Sequence, residues 1–242
     1  MAAAQTRSVK GEVAANVQIH VECVRVAAGH GADLVVFPEL SLTGYEPELA
    51  AGLTLAADDE RLHDLRDLAR RYGITVIAGA PIASGGDKPH LGALILTPDT
   101  TLVYAKQHLH GGEGQFFSPG GRSCVVDVKG VRVGVAICAD TMQASHPREA
   151  AANGAEIYAA GVVFTERGYA ADAALLSGYA ATHRIVVALA NHSAETGGWT
   201  PAGRSAIWDE GGELIASTAG TEEAVVIAER APTGWKGKIV RL

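Results

Sequence analysis

The sequence predicts a layered α/β fold, with two β-sheets packed on each other and helices covering their outer faces. Three observations predict it. Helical and strand-like segments alternate along the 242 residues, which is the pattern of an α/β layer structure. Several strand segments are apolar without interruption, as in strands covered on both faces. About eleven such segments occur, more than one flat sheet commonly carries, and two packed sheets bury them better.

The elements follow in order. Val17, Val21, Val24 and Ala28 recur at helical spacing and mark the first helix. "LVVF" (34–37) is the first predicted strand. Leu62, Leu65, Leu68, Ala69 and Tyr72 mark the second helix, with Asp58 and Asp59 as candidate caps and Gly73 as its stop. Strands follow at "ITVIAGA" (74–80), "LGALIL" (91–96) and "LVYAK" (102–106), with a turn-rich loop at 82–90. "SCVVDV" (123–128) and "VRVGVAI" (131–137) are joined by Lys129-Gly130, a hairpin signal. "AEIYAAGVVF" (155–164) precedes a helix over 168–184, whose Leu175, Leu176, Tyr179 and Ala180 share a face. "IVVALA" (185–190), "SAIW" (205–208), "ELIAS" (213–217) and "AVVIAE" (224–229) complete the strands, and "EGG" (210–212) is a second hairpin turn. No repeat, low-complexity tract or linker divides the chain, so one domain over 1–242 is expected.

Composition narrows the function classes. Apolar residues make up 48% and charged residues 19%, which is globular and not disordered. The net charge is −7 with no basic block, which argues against a nucleic-acid partner. Cys23, Cys124 and Cys138 are odd in number and lack CxxC spacing, unlike a secreted disulfide framework. "MAAAQTRSVKG" lacks the plan of a signal peptide, and no apolar run nears the roughly 18 to 20 residues of a membrane span. The expectation is a cytoplasmic protein without membrane attachment.

Three strand ends carry chemistry. "LVVF" runs into Pro38-Glu39, "LVYAK" ends on Lys106, and "VRVGVAI" runs into Cys138. Open α/β sheets place ligands at such ends. A thiol is mostly protonated at pH 7 and needs a base, which Glu39 can supply as Cys138 attacks a carbonyl. Lys106 and the backbone N–H of Ala139 can hold the oxyanion. Glu39 then returns its proton to a leaving amine and activates the water that cleaves the thioester.

"FPELSLTGY" (37–45), "YAKQHL" (104–109) and "VGVAICAD" (133–140), in this order and spacing, resemble the nitrilase superfamily of carbon–nitrogen hydrolases. "AAQT" (3–6), "FFSPG" (116–120), "NGAEI" (153–157), "ALAN" (188–191) and "GRSAIWDEGGEL" (203–214) extend the resemblance over almost the whole chain. It implies a four-layer α-β-β-α sandwich, a Glu-Lys-Cys triad at Glu39, Lys106 and Cys138, and a second glutamate at Glu113. It implies no metal or organic cofactor. Family position suggests Tyr45, Phe164 and Trp199 as pocket residues. It also implies a homodimer or larger homo-oligomer paired through helices near 146–154 and 168–184.

Two departures stand out. Ala139 occupies a place where many members carry an aromatic residue, and "TMQASHP" replaces the usual Phe-Pro-Glu type of continuation. With Leu242 about a dozen residues past the last predicted strand, the expectation is a chain without the extended arm some members carry. His108 and His110 lack accompanying ligands at metal spacing, and "GGEG" (111–114) lacks the Lys-Ser/Thr of a phosphate loop. Cys23 and Cys124 read as packing residues. The leading expectation is hydrolysis of a small linear amide or N-carbamoyl compound. A nitrile-cleaving enzyme, a catalytically silent binding protein of the same fold, and acyl transfer to an amine are the alternatives.

Overall fold

Alternation of side chains sorts each strand's residues onto two faces, and in the central strands of this protein both faces are covered. The computed structural model describes residues 1–242. Its first half comprises β1 (Ala2–Gln5), α1 (Val13–Gly29), β2 (Leu34–Val36), α2 (His63–Tyr72), β3 (Thr75–Ile82), β4 (His90–Leu96) and β5 (Thr101–Ala105). The second comprises β6 (Cys124–Val128), β7 (Val131–Ile137), α3 (Ser145–Ala152), β8 (Ile157–Val162), α4 (Glu166–His183), β9 (Val186–Asn191), β10 (Ala206–Trp208) and β11 (Leu214–Ser217). The hairpin β12 (Ala224–Ala231) and β13 (Gly234–Arg241) returns to the first sheet.

The strand orders are β13-β12-β1-β2-β3-β4-β5 and β11-β10-β9-β8-β7-β6. In each sheet three central strands are parallel, β1-β2-β3 and β7-β8-β9, and the flanking strands are antiparallel. The core falls into three apolar clusters. Leu94 and Leu96 of β4 join Val17, Val24, Leu65 and Leu68 of α1 and α2. Leu91, Ala93 and Ile95 of the same strand meet Val133, Val135 and Ile137 of β7. Ala136 of β7 packs instead with Leu176 and Tyr179 of α4. Three interfaces make four layers, α-β-β-α.

All eleven predicted strands form, as β2 through β12. The sequence reading misses β1 and β13. β1 is Ala-Ala-Ala-Gln, poor in the β-branched residues that signal a strand. Its neighbours impose the conformation, since it pairs with β2 on one side and β12 on the other. β13 is the edge of its sheet and is mostly exposed, with Lys236 and Lys238 along it. Such charged edges resist pairing with other chains, and they also erase the apolar signal. Asp59 does cap, but it caps the 3₁₀ turn Glu60–Leu62 that leads into α2, and Gly73 ends α2 in the left-handed conformation.

Candidate active site

The segment after β2 is held between the two sheets. A Cβ on Gly79 of β3 would lie 2.3 Å from Leu40 N, and one on Gly161 of β8 would lie 2.3 Å from Phe37 O. Only glycine lets the backbone around Glu39 pass this closely. Leu40 takes a left-handed φ of 52° in the turn. His192 fixes the peptide from behind, with Nε2 2.7 Å from Glu39 O. Burial holds this imidazole near a pKa of about 4, so it is neutral, and its one ring proton serves that bond.

Lys106 follows β5 and is fully buried. Its Nζ donates to Glu39 Oε1 at 2.7 Å and to Glu113 Oε1 and Oε2 at 2.8 and 2.9 Å. Glu113 starts a 3₁₀ turn, Glu113–Gln115, and also accepts from Tyr45 OH at 2.8 Å and His110 N at 2.6 Å. Both its oxygens are therefore engaged. Glu39 Oε2 is buried without any hydrogen-bond partner.

Cys138 opens the 3₁₀ turn Cys138–Met142 with φ at 42°, a conformation that a non-glycine residue holds only when its surroundings enforce it. Asp140 supplies the enforcement. Its carboxylate accepts from Ile137 N at 3.1 Å, Gln107 N at 3.1 Å, His108 N at 2.9 Å and Tyr104 OH at 2.7 Å. It ties the cysteine turn to the end of β5. Behind it, Tyr104 OH lies 2.9 Å from His146 Nε2, and His146 Nδ1 lies 2.8 Å from Tyr158 OH. Burial lowers the His146 pKa and favours a neutral ring, which can donate at Nε2 and accept at Nδ1. Asp140 stands two residues past the cysteine, but its reach across to β5 is a tertiary fact without a sequence signature.

The buried charges shape one another. Burial raises the Glu39 carboxyl; Lys106 opposes this and Glu113 adds to it, for a value of about 7. Burial alone would lower Lys106, but Glu39, Cys138 and Glu113 hold its ammonium above the ordinary range. Burial and the Glu39 charge push the Cys138 thiol well up, against Lys106. The resting thiol is thus protonated at neutral pH, beside a carboxyl poised to change its protonation there.

Glu39, Glu113, Cys138 and Ala139 line one cavity of about 290 Å³, as do Tyr45, Phe164 and Trp199. The structure brings all the sequence-nominated side chains except Lys106 to this cavity wall, and Lys106 lies directly behind Glu39 and Glu113. Ala139 sits at the start of its 3₁₀ turn, where leading N–H groups lack partners within the helix. Trp199 is 43% exposed, at the rim. His110, Met142, Val163, Thr165 and Asp172 also line the cavity, and no sequence pattern singled them out for it. A larger groove of about 700 Å³ opens among Leu34, Val133 and Ile157 at the opposite strand ends and holds none of these groups. His108 Nδ1 faces Asp140 Oδ1 at 3.1 Å, while the His110 ring stands edge-on to Trp199.

The carbon–nitrogen hydrolase family model matches residues 1–236. The chain is 31% identical to a nitrilase of Pyrococcus abyssi, over 85% of this chain and 79% of that protein. It is 28% identical to an omega-amidase of Danio rerio over the same shares. It is 33% identical to a glutamine-dependent NAD(+) synthetase of Thermotoga maritima over 60% of this chain, and it matches only 26% of that protein's length. Among solved structures it resembles the amidase from Nesterenkonia sp. AN1 in complex with butyramide, with a TM-score of 0.84, 23% identity, all of this chain and 89% of that one.

Proposed function

The chain belongs to the carbon–nitrogen hydrolase family, and from that premise we propose that it cleaves the carbon–nitrogen bond of a small linear amide or N-carbamoyl compound through a thioester on Cys138. The observation that carries this reading is the division of labour in Glu39. One oxygen is tied to Lys106, the other is free, and the carboxyl shares its cavity with Cys138.

The chemistry balances on these residues. Cys138 Sγ bonds to the carbonyl carbon as its proton passes to Glu39 Oε2. The Ala139 N–H holds the oxyanion and the Lys106 ammonium, just behind Glu39 and Glu113, adds positive charge to it; one such donor is worth roughly 10² to 10³ in rate. The carbon–nitrogen bond breaks as Glu39 gives the proton to the departing nitrogen, which leaves as ammonia or an amine. Water then adds to the thioester with Glu39 as base. The carbon–sulfur bond breaks, and Sγ regains a proton as the carboxylic acid departs. Fixing Cys138 and Glu39 on opposed sheets supplies orientation before the substrate arrives.

The test is intact-mass analysis after exposure to a panel of amides and nitriles, with ammonia release followed in parallel. The expected result is an acyl adduct on Cys138 and ammonia release from amides, with both lost in Cys138→Ala. Turnover of nitriles without turnover of amides would instead support the activity named for the Pyrococcus abyssi relative.

A further inference from the structure

The cavity lining holds a carboxylate that the chemistry above does not use. Asp172 lies on α4 and faces the same cavity as Cys138. It enters no ion pair, and burial is the one influence that shifts its titration, upward. Its Oδ2 would lie 3.0 Å from a Cβ at Gly168, one helical turn earlier, so the glycine leaves the carboxylate room. No lysine or arginine lines the cavity, and His110 at the rim is its one basic side chain. The buried Lys106 is already bonded to two glutamates.

We propose that Asp172 determines specificity, selecting amides whose far end carries an ammonium group and rejecting those whose far end is a carboxylate. This rests on the amidase reading and narrows it. A carboxylate on the substrate would meet a third acidic side chain with no cation left to offset it. An ammonium would gain a charge-assisted partner in Asp172, and the aromatic faces of Trp199 and Phe164 suit a cation as well.

Three amides with the same two-methylene spacer read the effect: β-alaninamide (cationic), its isostere butanamide (neutral) and the slightly larger succinamate (anionic). For the wild type, kcat/KM is expected to be about tenfold or more higher for β-alaninamide than for butanamide, the scale of one charge-assisted hydrogen bond, with succinamate last. Asp172→Asn should bring the cation-to-neutral ratio close to one, mainly through KM, and Asp172→Lys should favour succinamate. A butanamide rate equal to or above that of β-alaninamide, or a ratio unchanged in Asp172→Asn, overturns the proposal. A wild-type preference for succinamate overturns it in favour of His110. If none of the three is hydrolysed, that counts against the amidase reading for these linear amides, and calorimetric binding to Cys138→Ala decides the role of Asp172 alone. Tighter binding of β-alaninamide than butanamide, lost in Cys138→Ala/Asp172→Asn, supports it; equal or undetectable binding overturns it.

Discussion

Lys106 Nζ donates to Glu39 Oε1 at 2.7 Å, and the second oxygen of Glu39 has no hydrogen-bond partner. A buried acceptor left open this way costs stability unless a ligand or proton uses it. Glu113, by contrast, has both oxygens filled by Lys106, Tyr45 and His110. The two glutamates therefore have unequal roles. Glu39→Gln is expected to slow single-turnover acylation by about 10² to 10⁴, the scale of a lost general base. Glu113→Gln keeps one acceptor oxygen and should lose less. Near-wild-type acylation by Glu39→Gln would remove Glu39 from the base role. Equal loss in a folded Glu113→Gln would bring the second glutamate into proton transfer.

The raised Glu39 carboxyl sets an acid limb. Its base form fills as pH rises through about 7, so acylation should fall about tenfold per pH unit below that point. Stability moves the other way. The folded-state value of about 7 exceeds the ordinary 4.5, so the folded protein binds more protons than the unfolded chain between the two. By linkage, Glu39 makes stability fall as pH rises from about 4.5 to 7, then level off. Melting temperatures across that window should show the decline in wild type and a flatter profile in Glu39→Gln.

Thiol reactivity separates the three cysteines. Cys23 is buried in α1. Cys124 is half-buried on the edge strand β6, and burial raises it to about 11 with no base beside it. Cys138 also has a raised thiol, but it has Glu39 to take the proton. Limited iodoacetamide followed by peptide mapping should mark Cys138 first and abolish activity, and Glu39→Gln should slow that labelling selectively. Faster inactivating label on Cys23 or Cys124 would contradict the assignment.

Much of this was legible because buried strands leave a plain trace. β2 and the later part of β7 are buried apolar runs, so Glu39 and Cys138 stand out just after them. Lys106 follows β5, whose Leu102 and Val103 are exposed, so it stands out through the apolar composition of that strand and not through burial. β1 left no trace, because three alanines carry little strand signal. The cavity wall was less legible. Tyr45, Phe164 and Trp199 were nominated through family position, whereas Asp172 and Met142 reach the cavity only through the docking of α4 and the course of the turn after Cys138. The His192 bond to the Glu39 carbonyl spans 153 residues of sequence. Pairings of that range follow from sheet packing, which local patterning does not encode.

Assembly is open to a direct measurement. α4 presents Ala170, Ala171, Ala174, Gly178 and Ala181 on the protein's outer layer, and nothing lies within 4 Å of a Cβ at Gly178. Small side chains let a second helix approach closely. Light scattering at micromolar concentration is expected to give at least twice the 25.0 kDa chain mass, and Gly178→Arg should shift the balance toward monomer. A monomer in the wild type would rule out this face as a stable interface.

Asp140 offers a test of whether the site is set by support as well as by its reacting groups. It is fully buried and accepts from Ile137 N, Gln107 N, His108 N and Tyr104 OH. In Asp140→Asn one oxygen becomes an NH₂, which confronts N–H or O–H donors with another donor. Each donor left unpaired costs about 1 to 3 kcal/mol, so melting should fall. The cysteine turn should also drift relative to Lys106, and a displacement of about 1 Å can cost roughly 10² in rate. Because Glu39 remains the base, the acid limb near pH 7 should persist at the reduced rate. Glu39→Gln, by contrast, should abolish that limb. If Asp140→Asn loses the limb as well, Asp140 takes part in proton transfer, and its role extends beyond holding Cys138 against the end of β5.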